Sequence, residues 1–331
     1  MRNRTARIAG TGSYIPSQKI GNKELTLKIN NFDLDRARAS LVKQKIDIEK
    51  LDPGDVFDKW IQQVAGIRHR FYVSEEKEGV APVEFMAREA ALAALKSADV
   101  QAQDLDFIIA SSFTPTFLIP NLAVSVAGAI GAVSAGGFTL NTACSGFLDG
   151  LIDAYYRIIS GDYETILVVA AEALSNKIDF ADPKTVILFG DGAAAAVLRK
   201  DDKGILSCFT QSSYSMDHIV LKEGGFIQMG GGPHVQKKAV NAMAKAAREA
   251  IKKSPYELED IDHIIPHQAN HRITVALAKR LGVSLDKVCS TIDKYGNTSG
   301  ASVAIALDKA VKGEVDNCLI KKGDKLLLVS V

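Results

Sequence analysis

Asp104-Leu105-Asp106-Phe107-Ile108-Ile109 recurs later in the chain as Asp260-Ile261-Asp262-His263-Ile264-Ile265, and Asn141-Thr142 recurs as Asn297-Thr298. Both repeats stand at one offset, since 260 − 104 and 297 − 141 each equal 156. A fixed period carried by two separate segments marks a duplicated unit. Each Asp-x-Asp segment leads into a short apolar run of the kind that forms a buried strand. Upstream of each lies an amphipathic helix, at 84–97 and 237–253, and in the second Val240, Met243, Ala244, Ala247 and Ile251 fall at helical spacing. Gly161-Asp162 before the run 165–169, and Gly323-Asp324 before 326–331, read as one more shared piece at a slightly longer offset. Two pseudo-symmetric α/β halves follow, placed at 1–210 and 211–331. The first continues through Phe189-Gly190-Asp191-Gly192-Ala193, with Asp191-Gly192 read as a tight turn, into a strand at 194–198. The second has no counterpart of that strand before Val331 and reads as one strand short.

With 331 residues, 47% of them apolar, the chain can bury a large core. A formal net charge of +1 with both signs interspersed supplies no basic field, so nucleic acid is not an expected partner. Three arginines near the N-terminus precede only a short apolar stretch, and the apolar tracts elsewhere are broken by glycines or polar residues. No signal peptide or membrane span is expected, and the expected location is the cytoplasm. Cys144, Cys208, Cys289 and Cys318 form no C-x-x-C pair, which predicts free thiols and no bound metal; His69, His218, His234, His263 and His271 show no metal-ligand spacing either. For Cys208, Cys289 and Cys318 small buried packing roles are expected.

Three side chains carry the chemistry. Cys144 lies in Asn141-Thr142-Ala143-Cys144-Ser145-Gly146-Phe147, directly before a run with Phe147, Leu148, Leu151, Ile152, Tyr155, Ile158 and Ile159 on one helical face. That puts the sulfur at a helix N-terminus, where unpaired N–H groups favour the thiolate. A packing cysteine at a helix start is the competing reading. His267 ends the apolar run Ile264-Ile265-Pro266 just before a helix at 271–281, at the strand end where α/β proteins build sites. Asn297, in Gly296-Asn297-Thr298-Ser299-Gly300-Ala301-Ser302, occupies the turn equivalent to the one bearing Cys144; an Asn at a helix cap is the bland alternative. The order Cys, His, Asn also suits a papain-like protease, but that family's local Cys motif is absent and the duplicated α/β pattern does not fit it.

With these motifs the sequence resembles the β-ketoacyl-acyl-carrier-protein synthase III family. The likeness runs from Gly10-Thr11-Gly12-Ser13-Tyr14-Ile15-Pro16 through Gly66-Ile67-Arg68, the Cys144 segment, Phe189-Gly190-Asp191-Gly192-Ala193, Pro266-His267-Gln268-Ala269-Asn270 and Gly296-Asn297-Thr298-Ser299. It implies an α/β fold of the thiolase-like five-layer αβαβα type, a homodimer, and no cofactor beyond the thioester substrates. It implies that Cys144 takes an acyl group from acyl-CoA or acyl carrier protein. Malonyl-carrier protein then loses carbon dioxide, its thioester oxygen held by His267 and Asn297, and the enolate attacks the acyl-cysteine. Lys237, Arg272, Lys279 and Arg280 match the surface where the family docks its acidic carrier protein; singly, such charges are also a solvated helix face.

The resemblance assigns Trp60 to stacking on the CoA adenine. Val64 and Asn176 stand where the family's two nucleotide-binding arginines would be, and Lys177 lacks the planar guanidinium stack. A carrier-bound or unusual acyl donor is therefore expected alongside CoA. Ile119 matches the residue closing the acyl pocket across the dimer. An insertion at about 26–55 carries Leu41, Val42, Ile46, Ile48 and Leu51 at mostly helical intervals and is expected as a helical flap over the site or an added dimer contact. The family continues past 326–331 into a glycine loop, which completes an oxyanion hole with the Cys144 N–H, and a last strand. An acyltransferase or condensing enzyme of specialised metabolism, and a weakly catalytic partner subunit, are the competing functions.

Overall fold

A computed structural model describes residues 5–29, 32–73 and 79–331. Residues 1–4, with two of the three N-terminal arginines, and residues 30–31 of the insertion lie outside it.

The first sheet holds β1 (Thr5–Tyr14), β4 (Phe107–Ser111), β5 (Gly136–Leu140), β6 (Thr165–Glu172) and β7 (Gly192–Asp201) in the order β1-β7-β6-β4-β5. β4 runs parallel to β5 and β6, while β7 is antiparallel to β1 and β6. All eight residues of β6 are buried, which is why the run from Ile166 to Ala171 is apolar throughout rather than alternating. The two-stranded ribbon β2 (Gln18–Gly21) with β3 (His69–Tyr72) lies apart from that sheet.

One face of the sheet is covered by α4 (Pro82–Ala98) and α5 (Leu122–Ile130), through Met86, Ala90, Ala94, Leu122 and Val126. The other is covered by α6 (Gly146–Ser160) and α11 (Ser302–Val311). Beyond these lies a second, parallel sheet of β10 (His263–Pro266) and β11 (Leu326–Val329), whose Ile265, Leu326 and Leu328 join the α6/α11 core. Its far face carries α8 (Gly232–Lys252) and α9 (His271–Leu281). The layers are therefore helix, sheet, helix, sheet, helix, the five-layer arrangement expected. Smaller pieces complete it: α1 (Asn22–Thr26), α2 (Leu34–Lys43), α3 (Pro53–Ala65), α7 (Pro183–Val186), α10 (Ile292–Tyr295) and the two-residue strands β8 (Ile219–Val220) and β9 (Gln228–Met229).

The repeated residues do the same work twice. Asp106 Oδ2 accepts the backbone N–H groups of Glu164 and Thr165 at 2.7 and 2.9 Å, fixing the start of β6 beside β4. Asp262 Oδ2 accepts the N–H of Lys325 at 2.7 Å, fixing the start of β11 beside β10. Asn141 and Asn297 each accept, on Oδ1, the N–H two residues ahead, from Ala143 at 3.4 Å and Ser299 at 2.8 Å. Ala143 and Ser299, again 156 apart, both adopt φ +48°.

Three expectations are corrected. Asp191-Gly192 is not a hairpin turn: β6 and β7 are joined by a long connection containing α7, and Asp191 is buried. Its carboxylate accepts the N–H groups of Val73 and Ser175, both at 2.8 Å, and the Ser175 hydroxyl, so it binds three chain segments together. The insertion is helical only as far as Lys43; Lys45 at φ +61° turns the chain, and Ile46, Ile48 and Leu51 fold back onto Ala37, Leu41 and Val56, while Val42 is exposed. Of the four cysteines expected to be free, only Cys144 and Cys208 are. Cys289 and Cys318 form a disulfide with their Cα atoms 5.4 Å apart. Both lie in the core around α11, so packing brings together thiols 29 residues apart in sequence.

Candidate active site

Cys144 sits in the single turn Ala143–Ser145 that enters α6, and its pseudo-symmetric counterpart is the turn Ser299–Ala301 that enters α11. The two turns touch. A Cβ on Gly300 would stand 2.8 Å from the Ala143 carbonyl oxygen, so glycine is required for that approach. A Cβ on Gly146 would fall 1.8 Å from Ser111 Oγ, which is how the first turn of α6 reaches the end of β4. Cys144 Sγ lies 3.3 Å from Ser299 Oγ, and the Cys144 carbonyl accepts the Ser330 hydroxyl at 2.8 Å. The helix N-terminus is where the sequence placed it, and Cys144 itself is partly buried there. Desolvation pushes the thiol up to about 11, against the opposing pull of the Ser299 hydroxyl, so the resting sulfur is protonated at neutral pH.

His267 is buried at the end of β10, held by its N–H to the Val329 carbonyl at 2.8 Å. Its Nδ1 lies 2.6 Å from Ser302 Oγ, the first residue of α11. The same Ser302 oxygen accepts the Gln268 N–H at 3.3 Å, so its own proton is free to point at Nδ1. With Ser302 as the donor to Nδ1, the imidazole proton resides on Nε2, available as a donor. Burial pushes the ring down to about 4, which keeps it neutral. Asn297 is buried as well; its Oδ1 is taken by the Ser299 N–H, which leaves the amide NH2 as its free donor. Cys144 and His267 therefore each contact the six-residue segment Asn297–Ser302, through Ser299 and Ser302 respectively.

Sequence reasoning assigned no role to Ser299, Ser302 or Glu172. The two serines were inside a quoted motif. Glu172, at the carboxyl end of β6, was signalled only by the strand-end rule. It is fully buried, and its carboxyl accepts from the Thr114 and Ser112 hydroxyls and the Phe113 N–H. Oε1 would lie 3.6 Å from a Cβ on Gly300, so this carboxyl backs the Cys144–Ser299 contact. Burial pushes it up to about 8, above its ordinary 4.5. The folded state thus binds this proton more tightly than the unfolded chain, and the stability it supplies is lost as pH rises from about 4.5 through about 8. Thermal melts from about pH 6 to about pH 9 should show wild-type stability falling more steeply than that of Glu172→Gln, in which no proton can be lost. Parallel curves would mean that Glu172 is ionised throughout.

Trp60, on α3, packs against Phe32 of the insertion and Phe57, with ring centroids 5.4 and 6.2 Å away. Val64, one turn on, gives its carbonyl to Asn270 Nδ2 at 3.0 Å, tying α3 to the segment that follows His267. Asn176 is exposed in the turn Leu174–Lys177, whose Leu174 shares a core cluster with α3. Ile119 precedes a cis proline and is 91% exposed, so within one chain it closes nothing. Lys237 on α8, and Arg272, Lys279 and Arg280 on α9, are all exposed on helices that pack together, and Arg272 Nε also donates to the Gln63 carbonyl at 3.1 Å.

Residues 138–214 match the family described as 3-oxoacyl-[acyl-carrier-protein (ACP)] synthase III, and residues 251–331 match its C-terminal counterpart. The chain is 37% identical to the β-ketoacyl-[acyl-carrier-protein] synthase III of Xylella fastidiosa, with 98% of this chain and 93% of that one covered. It is 36% identical to the same-named protein of Clostridium kluyveri, covering 97% and 94%. The crystal structure of 3-oxoacyl-[acyl-carrier-protein] synthase III from Aquifex aeolicus superposes with a TM-score of 0.85 at 33% identity, covering 98% of this chain and 95% of that one. The chain is thus a condensing acyltransferase of the thiolase fold. Within that class it belongs to the β-ketoacyl-acyl-carrier-protein synthase III family.

Proposed function

We propose that this protein condenses an acyl thioester with malonyl-acyl-carrier protein to give a 3-oxoacyl-carrier protein, through an acyl group held on Cys144. The observation that carries the reading is the convergence of Cys144 and His267 on the Asn297–Ser302 segment. The thiol attacks the donor carbonyl, its proton leaves with the departing carrier thiol, and an acyl-cysteine remains. Malonyl thioester then binds with its carbonyl oxygen facing Nε2–H of His267 and the NH2 of Asn297. Loss of carbon dioxide leaves an enolate whose charge these donors stabilise, and its carbon attacks the acyl-cysteine, releasing the sulfur. The reaction asks for neutral donors, and the depressed His267 supplies one.

Phe32 against Trp60, with Val64 and Asn176 in place of cations, favours a carrier-bound acyl donor over CoA. A panel of acyl-CoA and acyl-carrier donors, read by the intact mass of the enzyme and then by carbon dioxide release on adding malonyl-carrier protein, tests the reading. An adduct without decarboxylation would instead make the protein an acyltransferase.

The carrier is an acidic protein in this reading, and the exposed cations of α8 and α9 attract it. Lys279→Glu with Arg280→Glu should raise KM for malonyl-carrier protein roughly tenfold with kcat little changed, and lose most of its salt dependence. An unchanged KM would put docking elsewhere. The working unit is a homodimer: β5 is an edge strand, and Phe117, Leu118, Ile119 and Val133 are exposed. Light scattering at twice the chain mass is the expected result. No helix among the described residues is long and apolar enough to cross a membrane, and the substrates place the work in the cytoplasm.

A further inference from the structure

Three metal-ligating side chains with no recognisable sequence spacing meet behind the second sheet. They are His263, the first residue of β10; Cys289, next to the Val288 that bridges to Ile264; and Cys318, in the turn after α11. A ring nitrogen of His263 and the two sulfurs all lie within 4.8 Å of one another. Both cysteines are buried, and the His263 side chain is 17% exposed.

The histidine is only half satisfied. Nε2 lies 3.5 Å from Asp324 Oδ2, while Nδ1 is buried with no hydrogen-bond partner. A carboxylate beside one ring nitrogen holds the proton there and leaves the lone pair on the other, the arrangement that orients histidines toward metals. The disulfide leaves that lone pair unused. Two hydrogen bonds hold these segments together alongside the S–S bond: Asn317 Nδ2 donates to the Val288 carbonyl at 3.0 Å, and the Cys289 N–H donates to the Ile264 carbonyl at 2.9 Å. Reduced sulfurs would therefore stay near one another and near the ring.

We propose that His263, Cys289 and Cys318 form, once the disulfide is reduced, a site for one soft d10 cation such as Zn2+. A dithiol reductant gives two electrons and two protons to the S–S bond and becomes a disulfide itself. The cation then displaces both thiol protons, forming two thiolate bonds and one bond to the imidazole nitrogen. Metal–sulfur and metal–nitrogen bonds of about 2.3 and 2.0 Å put such ligands roughly 3.5–3.8 Å apart, so the two sulfurs, bonded to each other in the oxidised protein, separate on reduction while the ring stays within reach. Two thiolates and an imidazole select zinc-like ions over magnesium or calcium. The site adjoins the chemistry, because the Cys289 carbonyl accepts Gln268 Nε2 at 3.2 Å and Gln268 follows His267.

The test uses full-length protein carrying Cys144→Ser and Cys208→Ser, so that no other thiol contributes, reduced and kept anaerobic. Titration with Co2+ should give thiolate-to-cobalt charge-transfer absorbance saturating at one ion per chain and abolished by one equivalent of Zn2+. The oxidised protein should give none until a dithiol is added. His263→Gln should weaken binding at least tenfold, and Cys318→Ser should remove the charge-transfer band, with circular dichroism confirming that each variant is folded. Zn2+ should raise the melting temperature of the reduced protein but not that of the folded variants. Absence of the band in reduced protein, its survival in Cys318→Ser, or undiminished affinity in His263→Gln would overturn the proposal.

Discussion

Cys144→Ala abolishes the acyl adduct and lowers condensation by on the order of 10⁴-fold or more, the scale on which removal of a covalent nucleophile acts. The substitution removes one sulfur atom, whose hydrogen-bonding neighbour is Ser299 Oγ at 3.3 Å. Stability should therefore change little, and the loss is chemical. In the proposed mechanism decarboxylation of malonyl-carrier protein is a separate step that uses His267 and Asn297, so the variant should still release carbon dioxide without forming product. That split, read by intact mass and carbon dioxide evolution on one sample, distinguishes a lost nucleophile from a collapsed site. A variant that still carries the acyl group would place the nucleophile elsewhere. Because burial holds the wild-type thiol near 11, acylation should rise with pH through the neutral and mildly alkaline range, rather than levelling off as it would for a preformed thiolate.

His267→Ala lowers decarboxylation by roughly 10²–10³-fold, the cost of removing one donor from a developing oxyanion. Asn297→Ala should cost a similar factor, and the double variant less than the product of the two, because in the proposed mechanism both donors face one oxygen. Ser302→Ala should fall between, since it deletes the hydroxyl 2.6 Å from Nδ1 that, as a donor, holds the ring proton on Nε2. The pH dependence follows from the same burial. The ring is pushed down from 6.5 to about 4, so the unfolded chain binds this proton first as pH falls. The stability its neutral form supplies is present above about 6.5 and is lost as pH falls toward about 4. Decarboxylation by folded enzyme should show no acid limb near 6.5. A limb there that disappears in His267→Ala would mean a solvent-accessible imidazole and would remove the argument for a neutral donor.

Much of this was legible in the chain because duplication writes the same local physics twice. Asp106 and Asp262, Asn141 and Asn297, and the helices that follow are visible as a fixed offset because each pair makes the same short-range hydrogen bond to backbone a few residues away or to the neighbouring strand. The helix at 271–281 was read at the limits the structure gives it, with Asn270 capping it and Gly282 ending it at φ +82°. The insertion was read less well, because its apolar spacing describes a small core closed by a left-handed Lys45 as readily as one long helix.

The sequence by itself determined the doubling into two α/β halves and the three side chains on which the chemistry is proposed to rest, since periodicity, strand-end position and local capping are properties of neighbours along the chain; the five-layer class came from the family resemblance. Only the tertiary structure decided that desolvation raises the Cys144 thiol, that Ser302 lies against Nδ1 of His267, and that His263, Cys289 and Cys318 meet. Those outcomes depend on which distant segments exclude water from a group and which atoms they bring to it, and burial of that kind has no period to read.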